Sequence, residues 1–111
     1  MMENKSLLKY ELSNEVTAFS TTRLSPFNLS GDEIDQMGAY AAFNVTHYCG
    51  DDKGRVERNR AWLCEELGVP AQNLWVPRQT HTSNVRGIDK AFLSLTRQEQ
   101  TDLLQDIDAL I

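Results

Sequence analysis

The stretch DDKGRVERNRAWLCEELGVP, residues 51–70, predicts one amphipathic helix whose two ends are both marked. One stripe recurs at helical spacing, and it consists of Val56, Arg60, Leu63, Cys64 and Leu67. The two aspartates at the start can cap free N–H groups and favour the positive end of the helix dipole. Gly68 suits a left-handed C-terminal cap, and Pro70 cannot continue the helix. We therefore predict a helix over about residues 53–67, with Cys64 as a small core residue.

Upstream of this helix, alternating side chains predict a β-hairpin. The first strand alternates apolar with polar positions through Leu8, Tyr10 and Leu12. Residues 16–21 alternate in the same way and are rich in β-branched and aromatic side chains, and residues 13–15 form a plausible turn. Proline, glycine and asparagine punctuate residues 24–37, which predicts irregular structure with a short helical turn near residues 32–37. The apolar residues 40–45 predict a further strand.

Downstream of the helix, short strands alternate with one further helix. An apolar run with a central tryptophan predicts a strand over residues 73–77, and a second short strand is expected over residues 84–88. A Thr-x-x-Glu capping box predicts a helix over residues 97–105. The β-prone residues 107–111 begin a strand with no turn or cap after it, so we expect the chain to be cut there. The predicted fold class is α+β, with mixed sheets and flanking helices.

Size and composition fit a single domain over residues 1–111. The formal net charge of −5 and the lack of a basic cluster argue against a nucleic-acid partner, although an uncharged nucleoside is compatible with it. No secretory signal and no run of about 20 apolar residues occurs, so we expect no membrane partner. Cys49 and Cys64 are not in CxxC spacing. We therefore expect a cytoplasmic protein with both thiols reduced.

Two histidines, His47 and His81, are available for chemistry, whereas a metal site usually needs three or four ligands. His81 follows a predicted strand in a polar loop, whose hydroxyl and amide side chains can orient its ring through the second nitrogen. Spacing alone leaves open the alternative that His81 is a surface-loop histidine without a role. His47 and Cys49 could bind a metal together, but a structural role for Cys49 is favoured. No serine-nucleophile elbow, P-loop or dinucleotide fingerprint occurs.

Five short blocks, in order and at matching spacing, resemble the YfiH or laccase-domain family. They are Phe19-Ser20-Thr21-Thr22-Arg23, Phe43-Asn44-Val45 with His47 and Gly50-Asp51-Asp52, Val56 with Asn59-Arg60 and Leu63, residues 75–85 with Gln79 and His81, and Asp108-Ala109-Leu110-Ile111. Members of this family were once described as multicopper polyphenol oxidases. They are now understood as purine nucleoside phosphorylases that also deaminate adenosine and cleave methylthioadenosine.

The resemblance implies that the chain is the N-terminal part of a longer domain with an incomplete YfiH-like fold. It implies a metal, zinc with copper as the alternative, held by His81 as ligand and catalytic residue. The family's other two ligands, a cysteine in Ala-Asp-Cys and a histidine in His-Ala-Gly-Trp, would lie beyond Ile111. Thr80, Thr82 and Thr46 depart from the valine and two glycines that are common in the family. These departures preserve the ligand chemistry but alter the expected backbone path.

The implied partners are purine nucleosides and phosphate, together with the missing C-terminal part or a second copy of the chain. Arg23 is a candidate for phosphate, because guanidinium binds phosphate in a fork. Asn44, His47 and Gln79 are the other candidate substrate-binding residues. Two alternatives stay open: a non-catalytic binding or interaction module, and a copper-dependent polyphenol oxidase. The second is less attractive because several coppers need many histidines.

Overall fold

The computed structural model describes residues 6–38, 43–48 and 50–111, and their architecture is α+β as predicted. The elements are β1 (Leu7–Ser13), β2 (Val16–Thr21), α1 (Gly31–Met37), α2 (Lys53–Leu67), β3 (Val85–Arg86), α3 (Lys90–Leu93), α4 (Arg97–Leu103) and β4 (Ala109–Leu110). They fall into two compact units, Met1–Ala71 and Gln72–Ile111. No helix in the described part of the chain is long and apolar enough to cross a membrane.

The first unit opens with the predicted hairpin. β1 and β2 pair antiparallel, with Leu7 opposite Thr21 and Tyr10 opposite Ala18. Leu7 is buried, whereas the rest of β1 is exposed. The predicted turn at residues 13–15 is confirmed, because it connects the end of β1 to the start of β2.

α1 is a full short helix where the sequence predicted only a helical turn. Ser30 caps its start, and the Glu33 side chain completes a capping box, which supplies partners for N–H groups that the first turn leaves free. The strand predicted over residues 40–45 lies partly outside the described residues, since 39–42 are not among them. Residues 43–46 form a turn and an irregular segment, so the described part of this prediction is wrong.

α2 begins and ends where the sequence placed it. The Asp52 carboxylate accepts the Arg55 N–H at 3.0 Å, and Gly68 takes the left-handed conformation at φ 71°. The buried face of this helix is formed by Val56, Asn59, Leu63 and Cys64. The Trp62 ring packs edge-on against Phe43, with ring centroids 5.4 Å apart.

The second unit begins with a difference from the sequence prediction. Residues 73–77 do not form a strand: a 3-10 turn covers Ala71–Asn73, and pairing is limited to one bridge from Arg78 to Gln105. Pro77 has no N–H to donate to a ladder, and Trp75 is instead packed edge-on against Phe92 at 5.1 Å. Packing on a helix thus satisfies the apolar run that suggested a strand.

β3 and β4 form a parallel pair, with Val85 opposite Ala109 and Arg86 opposite Leu110. Both strands lie inside the stretches predicted as strands, residues 84–88 and 107–111. α3 and α4 connect them, and the predicted capping box at α4 is present. Because parallel strands start at the same edge, the loop before β3 and the residues before β4 are brought together. This pairing sets the position of the His81 loop.

Candidate functional site

Asp108 lies directly before β4, and its carboxylate accepts hydrogen bonds from the backbone of the His81 loop. Its Oδ1 accepts the N–H of Thr80 at 3.1 Å and of His81 at 2.8 Å. Its Oδ2 accepts the N–H of Thr82 at 2.6 Å and also the Thr82 hydroxyl. Successive backbone N–H groups of this kind form a nest for an anion, and here the anion is supplied by the chain itself.

These hydrogen bonds keep Asp108 ionised. The Thr82 hydroxyl lowers the pKa of Asp108, and the N–H groups of His81, Thr82 and Thr80 lower it further, while partial desolvation opposes them. Hydrogen bonds donated to a carboxylate stabilise its charged form. The loop is therefore held by a negatively charged acceptor at neutral pH.

His81 has a backbone conformation that few residues other than glycine adopt. Its φ is 61°, in the left-handed region, where a non-glycine residue is strained by about 1–3 kcal/mol. Such strain persists only where the surroundings fix the backbone. The amide of Gln79 adds to the support, because its Nε2 donates to the Asp108 carbonyl at 3.3 Å.

The His81 side chain is exposed at the tip of this loop, and its chemistry fits a metal ligand. Imidazole suits both zinc and copper. Within residues 6–38, 43–48 and 50–111, no group of three or more His, Cys, Asp or Glu side chains could hold a metal ion. Cys49 lies outside these residues. The described residues thus supply no complete ligand set around His81, and its ligand role stays a prediction.

Asn44 has its side chain committed to the segment before α2. Its Oδ1 accepts the Thr46 N–H at 3.1 Å and the Thr46 hydroxyl at 2.8 Å, and its Nδ2 donates to Asp51 at 3.3 Å. The buried Asn59 donates to the Asn44 carbonyl at 2.8 Å, and Arg60 donates to the Val45 carbonyl at 2.7 Å. These contacts show Asn44 as a turn residue, and its substrate-binding role stays a prediction.

His47 lies at an open, charged cleft of about 420 Å³ beside the start of α2, which is lined by His47, Asp51, Lys53 and Glu57. Its Nε2 is 3.1 Å from the Glu57 carboxylate. Burial lowers the pKa of His47, Arg60 lowers it further, and Glu57 opposes them without reversing the direction. The lowered pKa favours the neutral ring at neutral pH, with its Nε2 in contact with the Glu57 carboxylate.

The lowered pKa of His47 predicts how stability changes with pH. The unfolded state takes up a proton at the ordinary pKa of 6.5, before the folded state does. The contribution of His47 to stability is thus complete above pH 6.5 and declines as the pH falls toward the lowered folded pKa. We expect His47→Gln to flatten the fall in unfolding free energy below pH 6.5, measured by urea denaturation at several pH values. Equal slopes in the two proteins would contradict this.

The candidate residues fall in different units. Arg23, Asn44 and His47 belong to Met1–Ala71, and Gln79 and His81 belong to Gln72–Ile111. Arg23 is exposed two residues after β2. Of these candidates, the described contacts link the Gln79 side chain and the His81 backbone through one residue, Asp108.

Comparison with known proteins identifies the family. A sequence model of the family described as multi-copper polyphenol oxidoreductase laccase matches residues 30–111. The chain belongs to this laccase family. The match includes both His81 and Asp108, and it confirms the resemblance that the five sequence blocks suggested.

Two curated proteins are similar to this laccase-family chain. Adenosine deaminase RL5, from an unknown prokaryotic organism, is 41% identical over 96 residues, which cover 86% of this chain and 34% of that protein. A purine nucleoside phosphorylase of Bacteroides thetaiotaomicron is 36% identical over 109 residues, which cover 98% of this chain and 38% of that protein. The chain thus spans about a third of the length of these relatives. No solved structure matches it significantly.

Asp108 is the site residue that sequence reasoning missed. It lies in a block that resembles the family, but the sequence alone indicates no role for it. Its contacts in the loop lie 26 to 28 residues away in sequence. The signal that could have found it is an aspartate directly before a strand, combined with the expectation that this strand pairs in parallel with the strand after His81.

Proposed function

We propose that the chain is the front part of a zinc-dependent purine nucleoside phosphorylase that also deaminates adenosine. Its substrates would be adenosine, inosine and methylthioadenosine, with phosphate. The names of the two relatives support this activity. Membership of the laccase family supports a metal, and imidazole ligation makes zinc compatible with His81.

The observation that carries the proposal is the hydrogen-bonded loop at His81, whose backbone is fixed by the Asp108 carboxylate. An exposed histidine without a role has no need of a left-handed backbone held by four donors on one carboxylate. Rigid support of this kind is typical of ligand positions, where the direction of the ring decides binding. The loop also lies within the region that matches the family.

Each candidate residue has a proposed task. His81 would hold zinc, which when bound supplies a Lewis acid and lowers the pKa of a water molecule. Arg23 would bind phosphate, and Asn44, His47 and Gln79 would contact the nucleoside. Since His81 is one ligand, the remaining ligands would come from the rest of the protein or from a second copy of the chain.

Two other functions are less well supported. Copper-dependent oxidation of polyphenols agrees with the family's description, but the sequence has two histidines for a chemistry that needs many. A non-catalytic interaction module predicts that the last strand is paired within the chain, and β4 does pair with β3. The same pairing also brings Asp108 to the His81 loop, so it favours neither function over the other.

We propose that the protein is located in the cytoplasm. The buried free thiol of Cys64 agrees with this location, because thiols stay reduced there. We also propose that the protein has neither a nucleic-acid nor a membrane partner, in keeping with its net charge of −5.

A turnover assay tests the activity. We expect the full-length gene product to release hypoxanthine from inosine only when phosphate is present, to lose this activity with a chelator and to regain it with zinc. The purified 111-residue chain should be inactive, because one ligand does not make a catalytic site. Metal-dependent turnover by the 111-residue chain alone, or no turnover of any purine nucleoside by the gene product, would contradict the proposal.

A further inference from the structure

We infer that Asp108 is the positioning residue of the site: its carboxylate fixes the backbone from Thr80 to Thr82 and thereby the direction of the His81 imidazole. The inference rests on the proposed function for what the imidazole binds. It assigns Asp108 no contact with substrate or metal, because the described contacts of its carboxylate are with the loop.

The chemistry of the contacts requires a carboxylate. Two donors converge on Oδ1, and two more, the Thr82 N–H and hydroxyl, converge on Oδ2. A carboxylate has only acceptor sites and satisfies all four. An asparagine at position 108 would turn one of the two atoms into an NH₂ group, which would face two donors. A change that preserves the shape of the side chain is therefore expected to remove half of these hydrogen bonds.

The left-handed backbone of His81 is the link between these hydrogen bonds and the direction of the imidazole. The direction of a side chain from the main chain follows from φ, so a return of His81 from φ 61° to the usual negative region would redirect its Cβ. The strain of the left-handed state favours that return once the hydrogen bonds are removed. The ring would then leave the ligand position.

Asp108 is itself anchored from both sides of its backbone. Its N–H donates to the Asn84 carbonyl at 3.0 Å, and its carbonyl accepts the Gln79 amide at 3.3 Å. β4 begins at the next residue and pairs with β3. The carboxylate is therefore fixed by regular structure, which is the arrangement that holds a ligand most accurately.

The test compares Asp108→Asn with Asp102→Asn in the full-length gene product. Asp102 is an exposed residue of α4 whose carboxylate accepts the Gln98 amide at 2.9 Å, so this control makes the same charge change away from the loop. Zinc affinity is measured by competition with a chelator, and amide hydrogen exchange is followed at Thr80, His81 and Thr82. Thr82→Val, which removes only the hydroxyl donor, is included in case Asp108→Asn does not fold.

We expect Asp108→Asn to lose amide protection at the three loop residues and roughly 10–100-fold in zinc affinity, the range for residues that orient a ligand. Asp102→Asn should match the wild type, and Thr82→Val should fall between. The inference is overturned if Asp108→Asn matches Asp102→Asn, if protection is lost while zinc affinity is unchanged, or, should Asp108→Asn not fold, if Thr82→Val binds zinc like the wild type. His81→Ala separates the two levels: if it retains zinc, the proposed function itself fails.

Discussion

Replacement of His81 by alanine in the full-length gene product is expected to remove the bound zinc and to reduce phosphorolysis of inosine by at least about 100-fold. Residues that merely orient a metal ligand are worth roughly 10–100-fold, and loss of the ligand itself should cost more. Zinc per chain, measured by mass spectrometry of the metal, should fall from about one toward zero. Hypoxanthine release then reports the loss of activity in the same samples.

The matched control for this change is His47→Ala, which removes the chain's other histidine. His47 contacts Glu57 of α2, within the unit Met1–Ala71, and we expect its replacement to leave the zinc content unchanged. Equal zinc in the wild type and the His81→Ala protein would rule out His81 as a ligand. A fall in zinc content in the His47→Ala protein, with no fall in the His81→Ala protein, would show that His47 is the metal ligand and would contradict the proposal.

Replacement of Leu63 by alanine is expected to destabilise the first unit by about 2–5 kcal/mol. Leu63 is 3% exposed and lies on the buried face of α2 with Val56, which is fully buried. Removing its branched end leaves a cavity that the helix cannot close without moving the capped ends of α2. For a domain whose whole stability is of order 5–15 kcal/mol, this is a large fraction.

The two tryptophans allow this measurement to be made on one unit at a time. Trp62 belongs to Met1–Ala71 and Trp75 to Gln72–Ile111, so Trp62 fluorescence in a Trp75→Phe background reports on the unit that contains Leu63. Leu24→Ala is the control, because Leu24 is 55% exposed in a loop and should cost less than about 0.5 kcal/mol. Similar urea midpoints for the two leucine variants would contradict the described core.

Local signals predicted the local elements well. The bounds of α2 followed from a capping aspartate and from Gly68, and the α4 capping box was readable in the sequence. α3 was missed because it has four residues, too few to show helical periodicity. Its start is marked by Asp89, whose carboxylate accepts the Phe92 N–H at 2.8 Å, a cap that resembles many turns.

Non-local contacts explain where sequence reasoning was wrong or silent. The run around Trp75 has strand propensity, yet the Trp75 ring packs against Phe92. Among the described residues, no strand pairs with this run to form a sheet. β propensity describes a side chain that fits a half-buried surface, which a helix can also supply. The partnership of His81 with Asp108 depends on the parallel pairing of β3 and β4, which no short window of sequence contains.

The most direct measurement of the central claim is an anomalous-scattering map at the zinc absorption edge, from a crystal of the full-length gene product grown with zinc. The account predicts a zinc peak about 2.0–2.1 Å from an imidazole nitrogen of His81. It also predicts the Asp108 carboxylate on the N–H groups of residues 80–82. A His81 ring pointing into solvent, with zinc bound at other residues or absent, would contradict it.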